Sequence, residues 1–189
     1  MDPRSGGGGT RRVVTRPRII VCPLSRVEAV ATAERPSAVI SMQSSGAPPP
    51  RPATVAPEHH LSLTFHDVVP QTVPSSALVY PARVHADAII ALARAWDRSG
   101  PLLIHCRFGI SRSPAAAAIA LAALDRSPDA DEIARSIRGH APSATPNALL
   151  VGYGDDALGC DGRLRRAIAA IGRGRDAMEG DVFAMELGA

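Results

Sequence analysis

The sequence predicts a single α/β domain with a central, mainly parallel sheet of about four or five strands, flanked by helices and followed by a helical C-terminal half. Two observations carry this prediction. Up to about residue 106, short apolar runs alternate with helical patterns, whereas only helical patterns follow. The chain has 189 residues, of which 46% are hydrophobic, and this is enough for one sizeable core.

Four segments have the length and composition of buried or half-buried strands. They lie at residues 18–22, 38–42, 60–65 and 102–104. The last segment is wholly apolar, as expected of a central parallel strand that is covered on both faces. Residues 44–57 and 67–76 contain several prolines, and the sequence therefore predicts loops at the rim of the domain there.

Six helices are predicted from helical periodicity and from residues that favour helix starts. They begin near Ser25, Ala82, Ser113, Asp129, Thr145 and Gly162. Ser25 and Glu28 form an S-x-x-E capping box for the first helix, which we expect to end before Pro36. Pro146 would occupy the first position of the fifth helix, where proline loses no hydrogen bond. The sixth helix is expected to end at Ile171.

The domain is expected to span residues 18–171, between two less regular ends. Residues 1–17 are rich in glycine and arginine and should form a disordered tail, because they cannot bury enough apolar area to offset the entropy of ordering. Residues 172–189 are expected to be a flexible tail. The N-terminal MDPRSGGGGTRR lacks the apolar stretch of a signal peptide, and no run of about 18 apolar residues could span a membrane. We therefore expect a cytoplasmic protein with no membrane partner.

Charge and cysteine content narrow the class of function. The net charge is only +3 and all 21 basic residues are arginine, which does not argue for a nucleic-acid partner. Cys22, Cys106 and Cys160 form no CxxC pair and leave an odd count, so neither a disulfide framework nor a cysteine zinc site is supported. We expect Cys22 and Cys160 to pack in the core. The histidines lack the spacing of a metal site, and no metal or other cofactor is expected.

The stretch LLIHCRFGISRS, residues 102–113, combines a strand, a five-residue loop and the start of an alanine-rich helix. If the loop wraps around a common centre, its backbone amides point inward and form an anion-binding nest at the positive end of the helix. Glycine at position 109 can adopt a positive φ or let the backbone approach closely. Arg112 can add a planar fork that suits two phosphate oxygens. The predicted phosphate-binding residues are Arg107, Phe108, Gly109, Ile110, Ser111 and Arg112.

The positive end of the helix and the charge of Arg112 also act on Cys106, which lies at the end of the strand. A helix N-terminus and a neighbouring arginine stabilise a thiolate, which is the nucleophilic form of cysteine. A thiolate at the floor of a phosphate cradle can attack phosphorus in line, while the amides and Arg112 stabilise charge on the equatorial oxygens. The sequence therefore predicts covalent catalysis through a phosphocysteine.

His105-Cys106, Gly109 and Arg112-Ser113 match the H-C-x-x-G-x-x-R-[ST] signature of the protein tyrosine and dual-specificity phosphatases, and the chain resembles this family. The order of elements from about residue 18 to 171 is similar to that of its small bacterial members. The resemblance implies a phosphatase-like fold. It also implies that Ser113 hydrogen-bonds the thiolate and helps it to leave, and that His105 supports the thiolate by bonding the loop backbone.

Expulsion of an alkoxide or phenolate also needs a proton donor on a loop that reaches over the nest. In this family the acid precedes the cysteine by a few tens of residues, and Asp67 stands 39 residues before Cys106, directly after a predicted strand. Asp87 lies within a predicted helix and Asp97 at its end, and His66 is a weaker alternative donor. Asn147, in a stretch that resembles bacterial relatives, is a further candidate to face the site.

Three functions are consistent with these sequence features. The leading one is a protein tyrosine phosphatase, with or without activity on phosphoserine and phosphothreonine, whose partner is a phosphorylated protein or a small phosphomonoester. The others are a catalytically inactive phosphate-binding module and a rhodanese-like sulfurtransferase, whose cysteine also follows a strand in an amide cradle. The intact Cys106, Arg112 and Ser113 favour the hydrolase, because a binding module has no use for a nucleophile. The oligomeric state is left open.

Overall fold

A five-stranded sheet organises the computed structural model, which describes residues 17–47, 49, 51–68, 76–124 and 129–187. The strands are β1 (Arg18–Pro23), β2 (Ala38–Gln43), β3 (His60–Thr64), β4 (Leu102–Cys106) and β5 (Phe183–Glu186). Their order is β3-β2-β4-β1-β5. The first four strands are parallel and β5 runs antiparallel to β1, which confirms the predicted mainly parallel sheet.

Six α-helices lie within the described residues. They are α1 (Val27–Glu34), α2 (Arg83–Ala95), α3 (Arg112–Ala123), α4 (Ala130–His140), α5 (Ala148–Leu158) and α6 (Arg163–Ala170). Short 3-10 turns cover Leu24–Arg26 and Pro57–His59. None of the helices in these parts of the chain is long and apolar enough to cross a membrane.

Side chains of alternating strand residues pack in two separate apolar clusters, one on each face of the sheet. On one face, α1 covers a small cluster that includes Ile20, Val39 and Leu103. On the other face, Ile40 and Ile104 join a larger cluster with residues of α2 to α6. At its centre, α3 buries every residue except Ala122, because its run of alanines lets neighbouring helices and the sheet approach closely.

The predicted start of the first helix is wrong in detail. Residues 24–26 form a 3-10 turn, and α1 begins at Val27 with Arg26 as its N-cap and no capping side chain. The Ser25 hydroxyl instead donates to the Glu179 carboxylate, at 2.7 Å. A long-range partner has therefore replaced the local capping box.

The predicted start of the fifth helix is also wrong. Pro146 lies before the helix, and α5 begins at Ala148 with Asn147 as its N-cap. The Asn147 side-chain oxygen accepts a hydrogen bond from the Leu150 amide at 3.0 Å. An asparagine cap satisfies an amide that the first turn of a helix leaves unpaired, which proline cannot do.

The prediction of a flexible tail over 172–189 is wrong, because β5 lies within that range and pairs with the exposed edge of β1. Phe183, Met185 and Leu187 alternate as buried residues, which is the two-residue period of a half-buried strand. Residues before β5 are also anchored, since the Gly174 amide donates to the Thr145 hydroxyl at 3.0 Å. At the other end, residues 1–16 of the predicted disordered tail lie outside the described residues.

Candidate active site

The loop at residues 107–111 joins β4 to α3 at the carboxyl edge of the four parallel strands. Ligands of parallel α/β sheets bind at this edge, outside the ends of the strands. Cys106 is the last residue of β4 and only 2% exposed. Arg112 is the first residue of α3 and is 3% exposed. The loop therefore holds the predicted nucleophile and the predicted cation on either side of one bend.

The loop carbonyls are held outward by amides from other parts of the fold. The bonds run from Leu24 N to Arg107 O (3.3 Å), Gly180 N to Phe108 O (2.8 Å), Thr145 N to Ile110 O (2.8 Å) and Asn147 N to Ser111 O (3.2 Å). No amide of residues 107–111 donates to another residue that the structure describes. The amides are therefore left for a ligand, as an anion nest requires.

The backbone at Gly109 needs glycine for two reasons. Its φ is +70°, in the left-handed region that a side chain disfavours. A Cβ atom at this position would lie 2.8 Å from the Pro23 nitrogen at the end of β1. The loop is thus pressed against the neighbouring strand, which shapes the bend.

Cys106 and Ser113 are in direct contact. The Cys106 Sγ lies 3.2 Å from the Ser113 Oγ, and both residues are buried. The serine hydroxyl is within hydrogen-bond distance for donation to a thiolate, the geometry that the role expected for Ser113 requires.

The Arg112 guanidinium is anchored at one end and open at the other. Its Nη1 donates to the Phe65 carbonyl at 2.8 Å and to the Ser44 hydroxyl at 3.1 Å. Its Nε is buried and has no partner among the described residues. An unpaired buried donor costs about 1–3 kcal/mol, and a bound anion would remove that cost. The Nε–H of Arg112 is therefore a buried donor that is free to bind an anion.

Asp67 stands 39 residues before Cys106 in the chain and contacts Ser111, the last residue of the loop. The Asp67 Oδ1 accepts hydrogen bonds from the Ser111 hydroxyl at 2.6 Å and from the Asn147 amide group at 2.9 Å. Both bonds go to Oδ1, so Oδ2 has no hydrogen-bond partner among the described residues. Ser111 is the N-cap of α3 but caps no amide, which leaves the helix N-terminus open.

Asn147 connects three parts of the site. Besides Asp67, its side chain binds the Val68 carbonyl at 3.1 Å and caps α5. The sequence predicted the helix start at Thr145-Pro146 and gave Asn147 only as a further candidate to face the site. The signal that could have raised it is the cap preference of asparagine directly after proline.

The alternative acids lie elsewhere or are otherwise engaged. His66 pairs with Val79 through its backbone amide (2.7 Å) and through its Nδ1, which accepts from the Val79 amide at 3.0 Å. Asp87 is exposed and bound to Arg83 on the same helix. Asp97 accepts from Ser99, and these hydrogen bonds hold its pKa below the ordinary value. Asp67 is the candidate acid that contacts the loop.

His105 does not make the bond to the loop backbone that the family resemblance implied. Its Nε2 lies 2.7 Å from the Ser41 hydroxyl, and its Nδ1 has no partner among the described residues. The reason is the register of the sheet, in which Ser41 stands directly opposite His105 on the neighbouring strand. Burial, and then the charge of His60, lowers the pKa of His105 to about 4.

The remaining predicted residues sit at the rim or in the core. Arg107 and Phe108 are exposed, with the guanidinium carbon 5.5 Å from the ring centroid, and Ile110 is half-buried. Cys22 is buried, and burial raises its pKa to about 12. Cys160 is half-buried and packs against the main cluster. In the described parts of the chain no three His, Cys, Asp or Glu side chains are grouped to hold a metal ion.

The fold and the loop define a class: a mainly parallel α/β domain that carries a Cys-x5-Arg loop at the carboxyl edge of its sheet. A similar solved structure is that of a mouse protein assigned to the dual specificity phosphatases, crystallised with zinc tungstate. The two chains are 20% identical, the likeness covers 86% of this chain and 98% of the mouse chain, and the TM-score is 0.53. This chain therefore has the dual specificity phosphatase fold. No protein-family model and no curated protein matches the sequence.

Proposed function

We propose that this protein is a cysteine-dependent phosphomonoester hydrolase of the protein tyrosine phosphatase type. The observation that carries the proposal is the arrangement of unpaired donors around Cys106. The amides of residues 107–111 and the buried Nε of Arg112 have no partners among the described residues, and they belong to the loop and helix start that directly follow the end of β4. A tetrahedral dianion is the ligand that such a set of donors suits.

In the first step the Cys106 thiolate attacks phosphorus in line with the ester oxygen. The sulfur–phosphorus bond forms as the phosphorus–oxygen ester bond breaks, while the loop amides and Arg112 stabilise charge on the three equatorial oxygens. The leaving alkoxide or phenolate takes a proton from Asp67. Its Oδ1 is held by Ser111 and Asn147, so Oδ2 is the oxygen that would carry this proton.

In the second step water attacks the phosphocysteine. Asp67, now a carboxylate, takes a proton from the water, the oxygen–phosphorus bond forms and the sulfur–phosphorus bond breaks. The Ser113 hydroxyl, 3.2 Å from Sγ, donates to the departing thiolate. Inorganic phosphate leaves and Cys106 returns to its starting form. The proposed mechanism needs no metal or other cofactor.

Turnover of p-nitrophenyl phosphate tests the proposal. We expect the wild type to release nitrophenol and Cys106→Ser to be inactive while it still binds inorganic tungstate. Cys22→Ser is the matched control, because Cys22 is a buried cysteine on the adjacent strand outside the loop. Tungstate binding without turnover by the wild type would indicate the phosphate-binding module instead. Sulfur transfer from thiosulfate to cyanide without ester hydrolysis would indicate the sulfurtransferase.

Substrate class is tested with a panel of phosphopeptides that carry phosphotyrosine, phosphoserine or phosphothreonine. Arg107 and Phe108 are exposed on the loop itself and would contact residues that flank the phosphorylated side chain. We propose activity on phosphotyrosine, with any dual specificity read directly from the panel. Failure of all three peptides, with p-nitrophenyl phosphate still hydrolysed, would redirect the proposal to small phosphomonoesters.

A further inference from the structure

Three polar side chains form a hydrogen-bonded chain across neighbouring strands, beneath the proposed active site. The His105 Nε2 lies 2.7 Å from the Ser41 Oγ, and the same oxygen lies 2.8 Å from the His60 Nε2. The residues belong to β4, β2 and β3, which are adjacent in the sheet. Ser41 and His105 are fully buried, whereas His60 is half-buried. The chain therefore leads from a partly exposed histidine to the residue before Cys106.

Proton counting assigns a direction to this chain. Ser41 has one hydroxyl hydrogen, so it can donate to only one imidazole and must accept from the other. If it accepted from both, its own buried hydrogen would have no partner. If it donated to His105, the hydrogen of neutral His105 would sit on Nδ1, which is buried and has no partner among the described residues. If instead His105 Nε2–H donates to Ser41 and Ser41 donates to His60, the hydrogen of neutral His60 sits on the Nδ1 of a half-buried ring, and no buried hydrogen is left unpaired. Only the lone pair on the His105 Nδ1 is then unsatisfied.

The surroundings favour neutral histidines at both ends. Burial lowers the pKa of His105, with a further contribution from His60, and burial followed by the charge of Arg51 lowers the pKa of His60. Opposite His105 on β1 stands Cys22, whose pKa is raised by burial, so it contributes a neutral thiol. No carboxylate is hydrogen-bonded to any member of the chain within the described residues. No hydrogen-bonded anion among the described residues therefore stabilises an imidazolium there.

We propose that Ser41 and His60 are positioning residues that hold His105 in its neutral Nε2–H tautomer and thereby fix the end of β4 from which Cys106 projects. The effect on catalysis rests on the proposed phosphatase function, whereas the hydrogen-bond direction does not. The three hydrogen-bonded side chains bond to neither the loop amides nor Arg112, so they orient the nucleophile without taking part in phosphate binding.

Nitrogen-15 NMR of the histidine rings tests the chain in the wild-type protein, without any need for activity. At pH 7 we expect His105 to carry its hydrogen on Nε2 and His60 to carry its hydrogen on Nδ1. A single-site His60→Gln variant assigns the signals of that ring. Hydrogen on the His105 Nδ1 would overturn the proposed direction and with it the proposal.

Kinetics of three serine variants test the positioning role. Ser41→Ala should give His105 a mixture of tautomers and lower kcat roughly three- to tenfold, the range for loss of one buried hydrogen bond, with KM unchanged. Ser41→Thr keeps the hydroxyl and should restore the wild-type tautomer. Ser62→Ala, on the exposed side chain next to Ser41 in the sheet, is the matched control and should change nothing. An unchanged kcat in Ser41→Ala would refute the positioning role, whereas inactivity of the wild type with the expected tautomers would refute only the phosphatase function.

Discussion

Substitution of Gly180 by alanine tests whether the C-terminal segment shapes the phosphate-binding loop. Gly180 lies just before β5, in the range that the sequence predicted to be a flexible tail. Its amide donates to the Phe108 carbonyl at 2.8 Å. A Cβ atom at this position would lie 2.8 Å from the Gly109 carbonyl oxygen and 3.1 Å from its carbon. Both contacts are with backbone, which cannot rotate away, so either the loop or the segment must move.

The size of the effect follows from these contacts. Loss of the hydrogen bond to Phe108 costs about 1 kcal/mol, and an overpacked methyl group costs about 1–3 kcal/mol. We therefore expect the free energy of unfolding to fall by roughly 1–3 kcal/mol, since part of the strain relaxes by displacement of the segment. Displacement of the loop by a fraction of an ångström also misplaces donors around the phosphate, so kcat/KM should fall roughly ten- to hundredfold.

Urea denaturation and hydrolysis of p-nitrophenyl phosphate measure the two effects separately. Gly139→Ala is the matched control, because Gly139 lies on the exposed face of α4 with no atom within 4 Å of an added Cβ. That control should keep its kcat/KM and gain up to about 1 kcal/mol of stability, the usual preference for alanine within a helix. If Gly180→Ala retained both stability and activity, the packing of the segment against the loop would be refuted.

Three further predictions follow from the site and its surroundings. Asp67→Asn should lower kcat about 10²- to 10⁴-fold, because no carboxylic acid then protonates the leaving group, and Asn147→Ala should lower it by less. A normal rate for Asp67→Asn would show that Asp67 is not the acid. Burial holds the pKa of His105 at about 4 against an ordinary 6.5, so the unfolded chain binds the extra proton. The free energy of unfolding should therefore be highest above pH 6.5 and should fall by up to about 3 kcal/mol as the pH drops toward 4. Urea denaturation at a series of pH values measures this fall, which should be smaller in a His105→Asn variant. Because its pKa is raised to about 12, the Cys22 thiol should resist iodoacetamide at pH 8 until the protein unfolds, and rapid labelling in peptide maps would contradict its buried position.

Local sequence patterns were sufficient for most elements of the fold. Apolar or alternating runs predicted β1 to β4, and helical periodicity predicted α2, because burial of one face imposes a period on the chain whatever it packs against. Asp129 and Glu132, which favour a helix start, predicted α4. The two helix starts that were misplaced, at Ser25 and Pro146, both depend on hydrogen bonds. In one case a partner 154 residues away, Glu179, competes with the local cap. A pattern within a short stretch of sequence cannot reveal such a distant partner.

The short strand β5 was missed for a different reason. Its four residues carry too weak an alternation to stand out from an irregular segment, and an edge strand becomes stable only where another strand offers unpaired backbone groups. The exposed edge of β1 supplies those groups. A prediction of β5 would have required knowledge of the strand order.

The order of residues along the chain was enough to determine the strand, the five-residue loop and the helix that surround Cys106, since these depend on neighbours in sequence. It also placed Arg112 and Ser113 on the helix end that faces the cysteine. Only the tertiary structure decided which residues bond to that loop and its neighbours. These contacts are the hydrogen bonds from distant amides to the loop carbonyls, those of Asn147 and Ser111 to Asp67, and that between His105 and Ser41. Those contacts join residues tens of positions apart, and their geometry exists only once the sheet, α5 and the C-terminal segment have packed together.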